Sequence, residues 1–262
     1  MTRRGIRIVG VCASLLVCVS GAQASVLAPA AVAGSIFFNL SPPPGVNIST
    51  FGTHSLPGPG GLVQFSSGTT PAPFAQAEVT AGAGFFSRSS GIVTYQMEVL
   101  GPGGTVAVKV SAAGSASGSS PLGNAFSGFA LKALWRLEDL SAAALLVNDE
   151  GINTPALTGS FQDSFSHVRD FLFTVGHIYR VTLIADAGAG PGGSGSASGS
   201  AFVDPIFTFG LGVGNEYSFN FSDGVGNSDG VPEPGTVGLM LAGVMGIGAW
   251  RVRRGSAERL GR

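Results

Sequence analysis

The chain has three histidines, His54, His167 and His177. One lies in Asp163-Ser164-Phe165-Ser166-His167-Val168-Arg169-Asp170, where serine, histidine and aspartate stand side by side. Nucleophilic catalysis needs a serine activated by a histidine that a carboxylate orients, and folds assemble that trio from separate segments. The cluster therefore reads as a polar loop. Carboxylates pair at Glu138-Asp139 and Asp149-Glu150, but glycoside hydrolysis needs two carboxyls about 5–10 Å apart across a cleft, which adjacency alone does not supply. Asp223, Asn227 and Asp229 offer oxygen ligands of the kind calcium takes. Their spacing matches no EF-hand loop, and a solvated stalk is the reading. Gly188-Ala-Gly-Pro-Gly-Gly193 has the G-x-G-x-x-G spacing. A dinucleotide site needs a helix directly after it, and here Pro191 and a Gly/Ser tract follow. No H-E-x-x-H or Walker A occurs. These residues predict no catalytic centre, no metal and no cofactor.

The elements that carry them read as strands. Val93, Tyr95, Met97 and Val99 alternate with Thr94, Gln96 and Glu98, and Val106, Val108 and Val110 alternate with Ala107, Lys109 and Ser111. Tyr179, Val181 and Leu183, then Tyr217, Phe219 and Phe221, repeat the pattern, the period of a strand buried on one face. With the turn signal Gly101-Pro-Gly-Gly104 between the first two, Ile92 to Ala112 predicts a β-hairpin. Phe129 to Leu137 alternates as well, with a short helix left open by Leu134 and Leu140. Further strands are expected at Ile36–Leu40, Phe74–Thr80, Ala143–Val147, Asp170–Val175 and Ala201–Phe209. About ten short strands with Gly/Pro turns imply an all-β, single β-sandwich domain, jelly-roll-like. The hexapeptide Gly-Ser-Ala-Ser-Gly-Ser occurs at 114–119 and again at 195–200. It reads as loops or small-residue strands joining equivalent parts of the sandwich rather than as domain linkers.

Composition narrows the function. Charged residues are 11% of 262, against roughly 25% in ordinary soluble domains, and a nucleic-acid binder needs far more Lys and Arg. The 18 Phe argue against a pure linker despite 42 Gly and 15 Pro. Between Ser25 and Pro234 six basic residues meet fourteen acids, so a soluble acidic domain sits between two basic ends.

Those ends are signals. Arg3, Arg4 and Arg7 precede an apolar stretch from Ile8 to Val19 and the small-x-small site Ala22-Gln23-Ala24. This is the order of a secretory signal peptide, cleaved to leave Ser25 first. Cys12 and Cys18 leave with it, so the mature domain carries no disulfide. At the other end Val231-Pro232-Glu233-Pro234 precedes Thr236 to Trp250, 15 residues without charge, and then Arg251, Arg253 and Arg254. As a helix that run spans roughly 22 Å, short for a bilayer core unless arginines snorkel or the membrane thins. Both basic clusters would stay cytoplasmic, which leaves everything between them outside.

A Val-Pro-Glu-Pro signature, a short Gly/Leu/Ala-rich membrane run and an arginine cluster, in that order, resemble the PEP-CTERM sorting signal. The resemblance covers roughly Val231 to Arg254. It implies recognition by an exosortase, a membrane transpeptidase, with cleavage close to Pro232-Glu233-Pro234. It also implies association with exopolysaccharide-producing bacteria. The expected organisation is a signal peptide at 1–24, a β-sandwich at 25–222 and a flexible stalk at 223–230. The sorting signal follows at 231–254 and a cytoplasmic tail at 255–262. The expected function is that of an exported, non-enzymatic cell-surface or exopolysaccharide-matrix protein. The alternative is a secreted carbohydrate-binding or carbohydrate-active sandwich. Trp135 is then the only tryptophan available for stacking on sugar, because Trp250 lies in the membrane run.

Overall fold

The computed structural model describes residues 24–38, 45–58, 61–121, 128–155, 157–190 and 195–227. They form thirteen strands, in order β1 (Ala31–Phe38), β2 (Gly45–Ile48), β3 (Gly52–Gly58), β4 (Gly61–Gly68), β5 (Phe74–Ala81), β6 (Ser87–Leu100) and β7 (Thr105–Ser120). There follow β8 (Gly128–Asp139), β9 (Ala144–Asn153), β10 (Gly159–Thr174), β11 (Ile178–Gly190), β12 (Ala197–Phe209) and β13 (Ser218–Phe221). A seven-stranded sheet runs β2-β1-β6-β11-β8-β9, with β13 on β6 beyond the end of β1; a six-stranded sheet runs β10-β7-β12-β5-β4-β3. Every pairing is antiparallel. From β5 onward the chain crosses between sheets repeatedly, so each sheet is held by the other's connections.

The sheets face each other across one apolar core, and their two inner surfaces differ. The seven-stranded sheet contributes Tyr95, Met97, Leu131, Trp135, Leu137, Tyr179, Val181 and Leu183, all essentially buried. Much of the six-stranded sheet's inner surface is Ala75, Ala77, Ala81, Ala116, Ala197, Ala201 and the glycines between them. Large side chains on one sheet therefore fill space that small ones on the other leave open, which keeps packing dense at normal sheet separation. A β-carbon added at Gly118 would stand 2.5 Å from the Phe129 ring, and one at Gly199 would stand 2.9 Å from Leu131. At these positions glycine is required by the neighbouring side chain.

This explains the hexapeptide. Its two copies lie in β7 and β12 and pair with each other, Gly118 opposite Gly199, Ser117 opposite Ser200 and Ser119 opposite Ser198. Glycine and alanine face the core while serine faces out, with Ser117–Ser200 and Ser119–Ser198 hydroxyl pairs at 2.8 and 3.1 Å. The segments are small-residue strands side by side at the centre of a sheet.

Three expectations are corrected. Ile92 to Ala112 is not a hairpin: β6 and β7 lie in different sheets, and Gly101–Gly104 carries the chain across. Both strands are apolar on one face, and a turn between two such strands can fold them side by side or face to face. Gly103 and Gly104, at φ 103° and 79°, make the crossing in a backbone region that favours glycine. Asp163–Asp170 is not a loop but the middle of β10, an edge strand. Trp135 is fully buried and offers no platform for sugar. The short-helix option over Phe129–Leu137 also falls away, since β8 is a strand throughout.

Candidate functional site

The site begins where the first and last described segments meet the sandwich. Ala24 and Ser25, the residues of the expected signal-peptide cleavage, lie beside β6 and β13. The Ser25 backbone N–H donates to Glu98 Oε2 at 2.9 Å, and its hydroxyl donates to Oε1 at 3.0 Å. Asn220 of β13 donates to the Ser25 carbonyl at 3.2 Å and to Glu98 at 3.3 Å. Three residues on, Ala28 N–H donates to the Gln96 side chain at 2.7 Å, while Ser222 Oγ donates to the Ala28 carbonyl at 2.7 Å. Ser25 to Ala28 are thus strapped over the outer face of the seven-stranded sheet.

The C-terminal segment is fixed to both sheets. Phe219 and Phe221 of β13 point inward: Phe219 stacks on Phe209 with ring centres 4.1 Å apart, and Phe221 lies 6.3 Å from Phe207 and 6.4 Å from Tyr95. Beyond Ser222 the chain turns to the opposite sheet. Gly226 N–H donates to Thr69 O at 2.7 Å. The Asn227 amide then bonds both backbone groups of Phe207, accepting from N–H at 3.1 Å and donating to C=O at 2.6 Å. A side-chain amide here imitates one rung of a ladder on the part of β12 that β5 does not reach. The stretch 223–227, expected as stalk, is therefore fixed to the sandwich. Glycine-rich composition suggested solvation, and the one amide that bonds β12 carried no periodic signal.

Of the predicted sorting residues, Val231, Pro232, Glu233, Pro234, Arg251, Arg253 and Arg254 lie outside the described residues, as does Ala22. So does the apolar run 236–250. Among the described residues no helix is long and apolar enough to cross a membrane.

The other chemical candidates are drawn apart. In β10, period two places His167 on one face and Ser164, Ser166 and Asp170 on the other. His167 Nδ1 lies 2.6 Å from Glu150, which Arg169 also reaches at 3.0 Å. The acid pairs diverge for the same reason. Glu138 faces out and accepts from Arg180 at 2.7 Å, whereas Asp139 meets His177 at 2.8 Å. The Arg180 hydrogen bond holds the Glu138 carboxyl below its usual range. A bulge in β9, with Asp149 at φ 47°, turns Asp149 out to a two-bond grip by Arg136 at 2.7 and 2.9 Å. Gly188 and Gly190 are strand residues of β11. Among the described residues no group of three His, Cys, Asp or Glu is placed to hold a metal.

The first and last described segments, Ser25–Ala28 and Phe221–Asn227, are both bonded to the sandwich, and the chain beyond Asn227 carries the apolar run and the arginine cluster. The comparison with known families agrees: the PEP-CTERM protein-sorting motif matches residues 230–254. The chain thus carries a PEP-CTERM sorting motif, which begins three residues after the Asn227 bonds to β12. The motif implies export as a membrane-anchored precursor and an exosortase-type processing partner in the membrane. No curated protein matches the chain.

Proposed function

We propose that this is an exported, non-enzymatic protein of the cell surface or exopolysaccharide matrix, released from its membrane anchor by an exosortase acting near Pro232-Glu233-Pro234. The sorting motif at 230–254 carries the reading. A signal peptide cleaved after Ala24 starts export, the helix over 236–250 holds the precursor, and Arg251, Arg253 and Arg254 keep it from being drawn through the membrane. Pro232 and Pro234 lack N–H groups and hold their predecessors extended, so the segment meets the enzyme as a strand and not as a helical turn. Glu233 is the single charge on that strand. The non-enzymatic part of the reading is supported by the paired acids Glu138, Asp139, Asp149 and Glu150, each drawn to an arginine or histidine instead of facing a second acid.

The glycan-contact alternative has one observation in its favour. The outer face of β7, β10 and β12 is a shallow polar depression lined by Ser117, Ser119, Gln162, Ser198 and Ser200, with Phe74 and Phe202 paired nearby, ring centres 6.1 Å apart. Such a surface suits a neutral, hydroxyl-rich chain.

In a host that makes the exosortase, wild type should yield a shortened species in the envelope or matrix, and Glu233→Ala should leave a full-length, membrane-retained precursor. Equal tail removal in both would reduce the segment to an ordinary anchor.

A further inference from the structure

Glu98 is an outward-facing residue of β6, yet it is only 2% exposed. Its neighbours across the sheet are Ile178 and Asn220. Among the described residues no lysine, arginine or histidine pairs with it, although Glu138, Asp149, Glu150 and Asp186 all have such partners. A buried carboxylate without a cation is costly unless something compensates it. What covers it is Ser25: backbone nitrogen on one oxygen, hydroxyl on the other. Ala24 is exposed, and Val26 is 99% exposed, so Ser25 is singled out from both neighbours.

We infer that Glu98 is the receptor for the α-amino group that export processing creates at Ser25. The inference rests on the reading that the signal peptide is cut between Ala24 and Ser25. In that hydrolysis water adds across the peptide bond. Hydroxide oxygen goes to the Ala24 carbonyl carbon, which leaves as a carboxylate, and the Ser25 nitrogen gains protons to become an ammonium. An amide with one N–H on Glu98 thereby becomes a cation with three, already 2.9 Å from the carboxylate. Charge-assisted bonds of this kind are roughly twice as strong as neutral ones. The Ala28 bonds to Gln96 and Ser222 hold the segment so that the new terminus need not search for its partner. Asn220 grips both Ser25 and Glu98, so the pair also ties down β13, the strand that leads to the sorting motif. Removal of the leader at one end thus stiffens the base of the tail at the other.

The test compares residues 25–262 with a free Ser25 amine against residues 22–262, which retain Ala22-Gln23-Ala24. Both are purified in detergent with their full C-terminus, each with Glu98 or Glu98→Gln. The shorter chain should melt several degrees higher, and Glu98→Gln should close the gap. Equal melting with Glu98 present, or a gap undiminished by Glu98→Gln, overturns the pairing. Should Glu98→Gln fail to fold, acetylating the Ser25 amine removes its charge without adding residues. The acetylated chain must then lose the gain; if it keeps it, the pairing is wrong. N-terminal sequencing of the exported protein is the separate arm. A start other than Ser25 overturns the processing reading and the pair in the cell, whereas equal melting overturns the pair alone.

Discussion

The outer faces of the two sheets handle charge differently. On the seven-stranded sheet, Arg88 grips Asp186 with bonds of 2.6 and 3.1 Å, Arg180 holds Glu138, and Arg136 holds Asp149. These are cross-strand pairs in a ladder, each acid opposite or diagonal to its cation. On the six-stranded sheet the outer face along β7, β10 and β12 carries hydroxyls and an amide, from Ser117, Ser119, Gln162, Ser198 and Ser200. There Glu78 is reached by the Gln76 amide, and Asp204 has one carboxylate oxygen buried without a hydrogen-bond partner. One face fixes Asp186, Glu138 and Asp149 with arginine, and the other leaves Asp204 to bear its own burial. Around the paired hexapeptides the inner faces differ too, with Phe129 and Leu131 set against glycine and alanine. The same sequence thus builds one sheet for filling and pairing and the other for fitting around it.

The sharpest way to break this contrast is to charge the filled sheet. Val181 is fully buried at the centre of β11. Val181→Asp should cost about 3–5 kcal/mol, the penalty for an uncompensated buried charge, read as a fall in the urea midpoint or loss of cooperative melting. The complementary break is to fill the fitted sheet. Gly118→Val puts a β-branched side chain where even one carbon would meet the Phe129 ring, and should cost about 1–3 kcal/mol by overpacking. The exposed Ser117→Val next to it should cost less than about 0.5 kcal/mol. A Gly118→Val protein as stable as wild type would mean that the small-residue strands do not set the sheet spacing.

Much of the fold was legible because burial on one face writes a period of two. Val93 to Val99, Val106 to Val110 and Tyr179 to Leu183 are strands with those residues inward. What the period cannot write is which sheet a strand joins, and hence Gly101–Gly104, a turn signal that predicts a hairpin, is a crossing between sheets. Polar edge strands are harder still. β10 shows its outer face to solvent along much of its length, so Asp163–Asp170 has the composition of a loop although it is strand. The sorting signal was legible because its order is linear and needs no fold. Glu98 and Asn227 were not, because their roles depend on Ser25 and Phe207, 73 and 20 residues away along the chain.

The next prediction sharpens the contrast between outer faces through pH. Burial pushes the Asp204 carboxyl up from 3.8 to about 6, and its charge adds to the burial that raises the buried Tyr95 hydroxyl. Because the folded value lies above the unfolded one, the fold favours the protonated acid. Stability should therefore rise as pH falls from about 7 toward 4, and level off below that. Asp204→Asn keeps the shape without the charge. It should melt above wild type at pH 8, and the two should converge near pH 4. If Asp204→Asn melts below wild type at pH 8, the ionised acid is being stabilised by something other than its visible surroundings.

The smallest effect belongs to the paired face and has the opposite sign. Arg180 lowers the Glu138 carboxyl, so here the fold favours the ionised form. Such a group contributes stability above its unfolded value, and the contribution is lost as pH falls through its folded one. The two side chains are 42% and 21% exposed, so water screens much of the attraction and the pair is worth less than about 1 kcal/mol. Arg180→Ala should lower the melting temperature slightly at pH 7, with the deficit fading below about pH 4 and shrinking in high salt. Glu138→Gln should reproduce the loss, and the double variant should add little to either alone, because both singles remove the same bond. A deficit that persists at pH 3 would assign Arg180 a packing role, its aliphatic stem covering β8. The paired face would then be held by contact and not by charge.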